Sequence, residues 1–199
     1  MREPQQMKAL EDMGVNLMGM IFFPKSPRFV DGEDVCSGCL PKNIRKVGVF
    51  VKADLATVVA TVKKYNLSFV QLHGGEDVDF ANLVKKHTGV GIIKAVSVSG
   101  VDDVRNLPTE WECAADYMLF DYKCVGYGGS GQQFDWAVLD EYKLNLPFLL
   151  SGGIGPDDAE AVKKVNHPKF AGVDLNSKFE ISPANKDIEK VKEFLSKIR

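Results

Sequence analysis

The sequence predicts an α/β fold, a (β/α)8 TIM barrel made here with seven parallel strands, the first strand being absent. Three observations carry that expectation. Short apolar runs rich in β-branched and aromatic residues recur along the chain, and they are continuous, as strands covered on both faces should be. Helical patterns fill most of the gaps between them. The series also opens on a helix, whereas an open doubly wound sheet would start with a strand and a G-x-G-x-x-G turn, which is missing.

Taken in order, Met1 to Gly14 reads as a helix and LMGMIFF (17–23) as the first strand. The stretch 31–45, broken by Gly32, Gly38 and Pro41, is too irregular for a helix. KVGVFVK (46–52) follows as a strand, and Asp54 caps a helix with Leu55, Val58, Val59 and Val62 on one face. LSFVQLH (67–73) precedes a helix from Glu76 to His87, and GIIKAVSV (91–98) and YMLFD (117–121) are further strands. Phe134 to Tyr142 reads as a helix after a glycine-rich loop, PFLLS (147–151) as a strand, and Pro156 stands near the start of a helix through Val165. FAGVDL (170–175) is the last strand, and Asp187 opens a helix that aligns Ile188, Val191, Phe194, Leu195 and Ile198. Phe22, Phe50, Phe69 and Phe120 are expected in the core.

With 199 residues and 45% hydrophobic content, the chain is one domain, 1–199, with ample core material. A net charge of −2 excludes the clustered basic excess of a nucleic-acid or anionic-membrane surface. No apolar run reaches the roughly 20 residues of a membrane span, and the N-terminus lacks the pattern of a signal peptide. The expected location is cytoplasmic, with the four cysteines, 36, 39, 113 and 124, as reduced thiols. Cys36-Ser-Gly-Cys39 has redox or zinc half-site spacing, but no second pair completes a metal site, so no metal is expected.

The chemistry is expected at the C-terminal ends of the strands. Gly126-Tyr127-Gly128-Gly129-Ser130-Gly131, Ser151-Gly152-Gly153-Ile154-Gly155 and Asp174-Leu175-Asn176-Ser177 follow three consecutive strands. Small residues there let backbone N–H groups approach an anion, so the three together point to phosphate, where one alone would read as a tight turn. Asp121 ends an apolar strand, where a carboxyl suits proton donation; a cap or loop acceptor is the plainer reading of its residue type. Arg28 follows the stiff Pro24-Lys25-Ser26-Pro27 and suits a carboxylate ligand, against an ordinary surface arginine. His73, Asp174 and Lys94 are placed toward the same rim, as substrate contacts or as structural groups.

Together, GMIFFPKSPRFV, KVGVFV, VQLHGGE, IIKAVSV, MLFD, GGSGQQFDW, LLSGGI and GVDLNSKFE…KD resemble the phosphoribosylanthranilate isomerases of tryptophan biosynthesis over essentially the whole chain. The resemblance implies a cofactor-free Amadori rearrangement of N-(5-phosphoribosyl)anthranilate to 1-(2-carboxyphenylamino)-1-deoxyribulose 5-phosphate. It implies Asp121 as general acid and Arg28 as holder of the anthranilate carboxylate. Gly129, Gly131, Gly152, Gly153, Asn176 and Ser177 would lie around the phosphate, and His73 and Asp174 would line the pocket. The only implied partner is this small phosphoribosyl molecule, bound by a monomer or homodimer.

The family pattern also implies a general base, a cysteine in Lys-x-Cys-Gly at the end of the first strand, and that segment has no counterpart from Met1 onward. The expectation is a chain with two open strand edges, prone to pairing with another chain, and with little isomerase activity. A non-catalytic phosphate-binding barrel remnant and a different sugar-phosphate barrel enzyme are the competing readings.

Overall fold

The computed structural model describes residues 1–31, 35, 40–122 and 134–199. Seven parallel strands pair in sequence order: β1 (Leu17–Ile21), β2 (Arg45–Phe50), β3 (Phe69–Leu72), β4 (Gly91–Val98), β5 (Tyr117–Tyr122), β6 (Phe148–Leu150) and β7 (Phe170–Val173). Consecutive pairing of parallel strands requires a crossover between each pair, and helices supply most of them. These are α2 (Leu55–Tyr65), α3 (Val78–Thr88), the short α4 (Asp102–Arg105) and α5 (Trp111–Ala114), and α6 (Ala159–Lys163). α1 (Pro4–Asp12) leads the sheet and α7 (Ile188–Ile198) closes the chain.

Local chemistry sets the helix ends. The carboxylates of Asp54, Asp77 and Asp187 each accept a backbone N–H of the first turn of α2, α3 and α7. Asn66 and Gly89 end α2 and α3 in the left-handed conformation. Between β5 and β6 the expected helix is a 3₁₀ turn, Trp136–Glu141, capped by Asp135. A two-stranded antiparallel hairpin that the sequence pattern did not announce, β8 (Glu180–Ser182) with β9 (Asn185–Lys186), stands between β7 and α7.

Apolar side chains sort into two layers. The larger packs between sheet and helices and holds fully buried Phe50, Phe120, Phe148, Val70 and Leu72. The smaller lies on the concave face and contains Val47, Phe69, Ile93, Ala95 and Leu119. Successive residues of a strand face opposite sides, so β5 sends Met118 and Phe120 to the helices and Leu119 inward.

β1 and β7 are the two ends of the series and do not pair with each other, so the sheet is a curled seven-stranded wall with a slot. Ala171 in β7 and Gly19 in β1 are exposed, unlike the all-buried β3. The Met1 amine, buried, donates to the Gly19 carbonyl at 2.9 Å on the free edge of β1. These features agree with the seven-strand expectation: among the described residues β1 and β7 each pair with one strand of the wall, and an isolated parallel bridge joins Ile21 of β1 to Phe29.

Candidate active site

The last rungs of the ladder place the site. Beyond the strand ends, the His73 N–H donates to the Phe50 carbonyl, that of Ser151 to Phe120 and that of Asp174 to Leu150, each within 2.9 Å. The inward residues therefore change along each strand from apolar to polar. Tyr117 and Leu119 lead up to Asp121, Phe69 leads to Gln71 and His73, and Leu149 leads to Ser151. All of these except Phe69 line one cavity of about 990 Å³.

Of the described candidates, Arg28, His73, Asp121, Gly152, Gly153, Asp174, Asn176 and Ser177 border that cavity. Gly129 and Gly131 lie outside the described residues, as do Cys36, Cys39 and Cys124. Lys94 is not brought to the site: its ammonium donates to the Glu76 carbonyl at 2.8 Å and packs over the Trp111 ring. Burial lowers its pKa.

Two carboxyl groups dominate the rim. Asp121 Oδ2 lies 3.5 Å from His73 Nε2, with both side chains partly exposed. Asp174 is partly buried and accepts from the Ser151 hydroxyl at 3.1 Å. Burial pushes the Asp174 carboxyl up, Lys186 opposes that, and nearby Asp121 adds to it.

Gly152 makes this crowding possible. Its φ of +86° is in the left-handed region, and a Cβ there would sit 2.5 Å from the Tyr122 nitrogen and 2.9 Å from Asp121 Oδ1. The glycine loop after β6 thus lies against the carboxyl at the end of β5. Gly153, also at positive φ, continues it.

Arg28 is neither exposed nor unpaired. Its Nε donates to both Glu180 oxygens at 3.1 and 2.9 Å, and its Nη2 lies 2.7 Å from Oε2. Ser26, inside the Pro-Lys-Ser-Pro turn, accepts the Arg28 backbone N–H. Lys186 bonds the other side of Glu180 at 3.2 Å, and also the Leu175 carbonyl, the Asn176 carbonyl and Asn176 Oδ1. Burial raises the Glu180 pKa, but the Arg28 hydrogen bonds and Lys186 outweigh it and hold the group below its ordinary value. Burial lowers that of Lys186.

Three contributors escaped the reading of the sequence, Glu180, Lys186 and Gln71, while Ser151 is read only as part of its glycine loop. The first two stand in the quoted stretch GVDLNSKFE…KD, where an acidic and a basic residue close to a glycine-poor loop gave no role by type alone. Gln71 was visible as the one amide inside an otherwise apolar strand. Among the described residues no cluster of His, Cys, Asp and Glu could hold a metal ion.

A cavity of this kind at the carboxyl ends of parallel strands narrows the comparison. Residues 1–197 match the family described as PRAI, N-(5'-phosphoribosyl)anthranilate isomerase. The chain belongs to that family. It is 43% identical to the N-(5'-phosphoribosyl)anthranilate isomerase of Parabacteroides distasonis, covering 100% of this chain and 90% of the relative. It is 38% identical to that of Phocaeicola vulgatus, covering 100% and 95%. Among solved structures, the isomerase of Thermus thermophilus superposes with a TM-score of 0.84 at 25% identity, over 100% of this chain and 94% of the other. That of Thermotoga maritima gives 0.81 at 29%, over 100% and 95%. A family structure in complex with reduced 1-(o-carboxyphenylamino)-1-deoxyribulose 5-phosphate gives 0.81 at 26%, over 100% and 94%. The seven-stranded α/β wall of this chain therefore has the family's TIM-barrel fold.

Replacing Gly152 by alanine is expected to cost about 1–3 kcal/mol in urea unfolding, because a left-handed backbone and a blocked Cβ position act together. Unchanged stability would mean that the loop does not sit against Asp121. Asp174 gives a pH signature. Its folded pKa is raised, so burial costs nothing below the ordinary carboxylate value of 3.8 and costs progressively more as pH rises through the folded value. Asp174→Asn is expected to be more stable than the parent at neutral pH and to lose that advantage in acid. Equal unfolding midpoints at every pH would show that Lys186 cancels the burial cost.

Proposed function

We propose that this chain is an N-(5'-phosphoribosyl)anthranilate isomerase of tryptophan biosynthesis, acting in the cytoplasm as a monomer or homodimer. The reading is supported by membership of the family and by one observation above all: eight candidate residues, scattered from 28 to 177, border a single cavity.

Opening the ribose ring requires an acid at the ring oxygen, and the resulting iminium must then lose the C2 proton to a base. Asp121 is the acid, at the inner rim beside His73. Gly152, Gly153, Asn176 and Ser177 receive the phosphate at one side of the cavity, with Gly129 and Gly131 added from outside the described residues. Arg28 receives the anthranilate carboxylate; Glu180 already holds its Nε edge, which leaves Nη1 for the ligand. His73 and Asp174 line the sugar between these ends. No cofactor is required, since proton transfers alone complete the rearrangement.

The base has to face Asp121 from across the cavity. Cys113, the one cysteine among the described residues, is exposed on α5 and does not border the cavity. The slot between β1 and β7 lies open to the cavity, and an extended strand ending in Cys-Gly would bring a thiol to the rim by pairing with those edges.

The test measures turnover and, by calorimetry, binding of the reduced product analogue. A chain carrying such a strand ahead of Met1 is expected to turn over about 10²–10⁴ faster than residues 1–199 alone. Equal rates would remove the slot from the mechanism. In the faster protein, Asp121→Asn is expected to lose about 10²–10⁴ in kcat while still binding the analogue. Should the aromatic ring add no affinity over a plain pentose phosphate, the chain is a phosphate-binding barrel instead.

A further inference from the structure

The proposed acid stands at the end of a line of three polar groups, of which one has no role so far. Gln71 and His73 are two residues apart on β3 and its extension, so both face inward. Gln71 is 7% exposed on this concave face, whose other buried members are mostly apolar. A buried amide at such a place is costly unless it is bonded. Its Nε2 lies 3.1 Å from His73 Nδ1.

An amide nitrogen carries only hydrogens to share, so Nδ1 must be the acceptor. That puts the proton of the neutral ring on Nε2, the nitrogen 3.5 Å from Asp121 Oδ2. The backbone beside His73 is also tied down. Glu76 accepts the backbone N–H of Lys52 at 2.6 Å and that of Gly74 at 2.8 Å, tying the loop after His73 to the end of β2. Lys94 holds the Glu76 carbonyl. On β4, between the strands that carry His73 and Asp121, the inward residues Ala95 and Ser97 are small, which lets the two groups meet.

We propose that Gln71 is a positioning residue, which holds the His73 imidazole in the Nε2–H tautomer aimed at Asp121. The consequence for catalysis rests on the isomerase reading. When Asp121 gives its proton to the ring oxygen it becomes a carboxylate, and a fixed N–H already faces the charge that forms. The other tautomer would present a lone pair to that charge. The 3.5 Å separation suits a contact that tightens as the charge develops.

The tautomer can be read without turnover, from long-range ¹⁵N–¹H spectra of the full chain labelled at histidine, at a pH where His73 is neutral. The parent is expected to show a pyridine-like Nδ1 and a pyrrole-like Nε2 at His73. Gln71→Leu removes the donor, and both shifts are expected to move toward the average of a tautomer mixture. Gln71→Glu keeps the size but accepts, and is expected to invert the pattern. Asp121→Ala is expected to leave Nδ1 pyridine-like, because Gln71 alone sets the choice.

A parent ring protonated at Nδ1 overturns the proposal, and so does an Asp121→Ala variant in which the pattern inverts. If Gln71→Leu fails to fold, the parent spectrum and Gln71→Glu still decide. Loss of the isomerase reading would leave these spectra unchanged, so the two failures are separable.

Discussion

Parallel pairing with a two-residue period governs the whole molecule. Because all seven strands of the wall run the same way, their carboxyl ends meet at one rim. Alternate residues of each strand are committed to the helices or to the concave face. On that face the residues pass from Phe69, Leu119 and Leu149 to Gln71, Asp121 and Ser151. A one-residue slip would turn Asp121 into the helix layer and bring Phe120 to the cavity. The fully buried Phe120, with Tyr142 and Phe148 against it edge to face, anchors this register with apolar area rather than with polar bonds.

Charge is handled differently at the two sides of the cavity. Toward β7, Lys186 and Arg28 share Glu180 in a nearly closed network that also holds both Asn176 oxygens. Such buried pairs add little net stability, but removing one member leaves an uncompensated charge and costs far more. Their effect is geometric: the hairpin β8–β9 ties the arginine of the first loop to the loop after the last strand. Across the cavity, the His73–Asp121 pair is partly exposed and loosely spaced. Asp174 stands between the two regimes, partly buried and bonded to Ser151, with its pKa raised by its surroundings.

The slot concentrates the cost of the architecture. A parallel strand is ordinarily covered on both faces and paired on both edges, whereas β7 is partly exposed throughout and β1 leaves Gly19 open. There the cavity runs from the rim to Leu195 and Ile198 of α7. Edges of this kind attract another strand wherever their backbone groups lack partners, and on β1 the Gly19 and Ile21 carbonyls already accept from Met1 and Val30.

The order of elements, the parallel class and most rim positions were legible in the amino acids themselves. Continuous apolar runs bounded by glycine specify buried parallel strands, and strand ends specify the rim, so Asp121, His73 and the Gly152 loop could be placed from local pattern. The hairpin β8–β9 was not legible, because its strands of three and two residues carry no periodicity. Nor was the Arg28–Glu180 pair, whose members stand 152 positions apart; nothing local to either residue names the other. Gln71 is an amide in an otherwise apolar strand, but its bond to His73 depends on the inward turn of β3. The tertiary structure decided these because a pair distant in sequence is selected by how the sheet curls, and curvature is a property of the assembled wall rather than of any one segment.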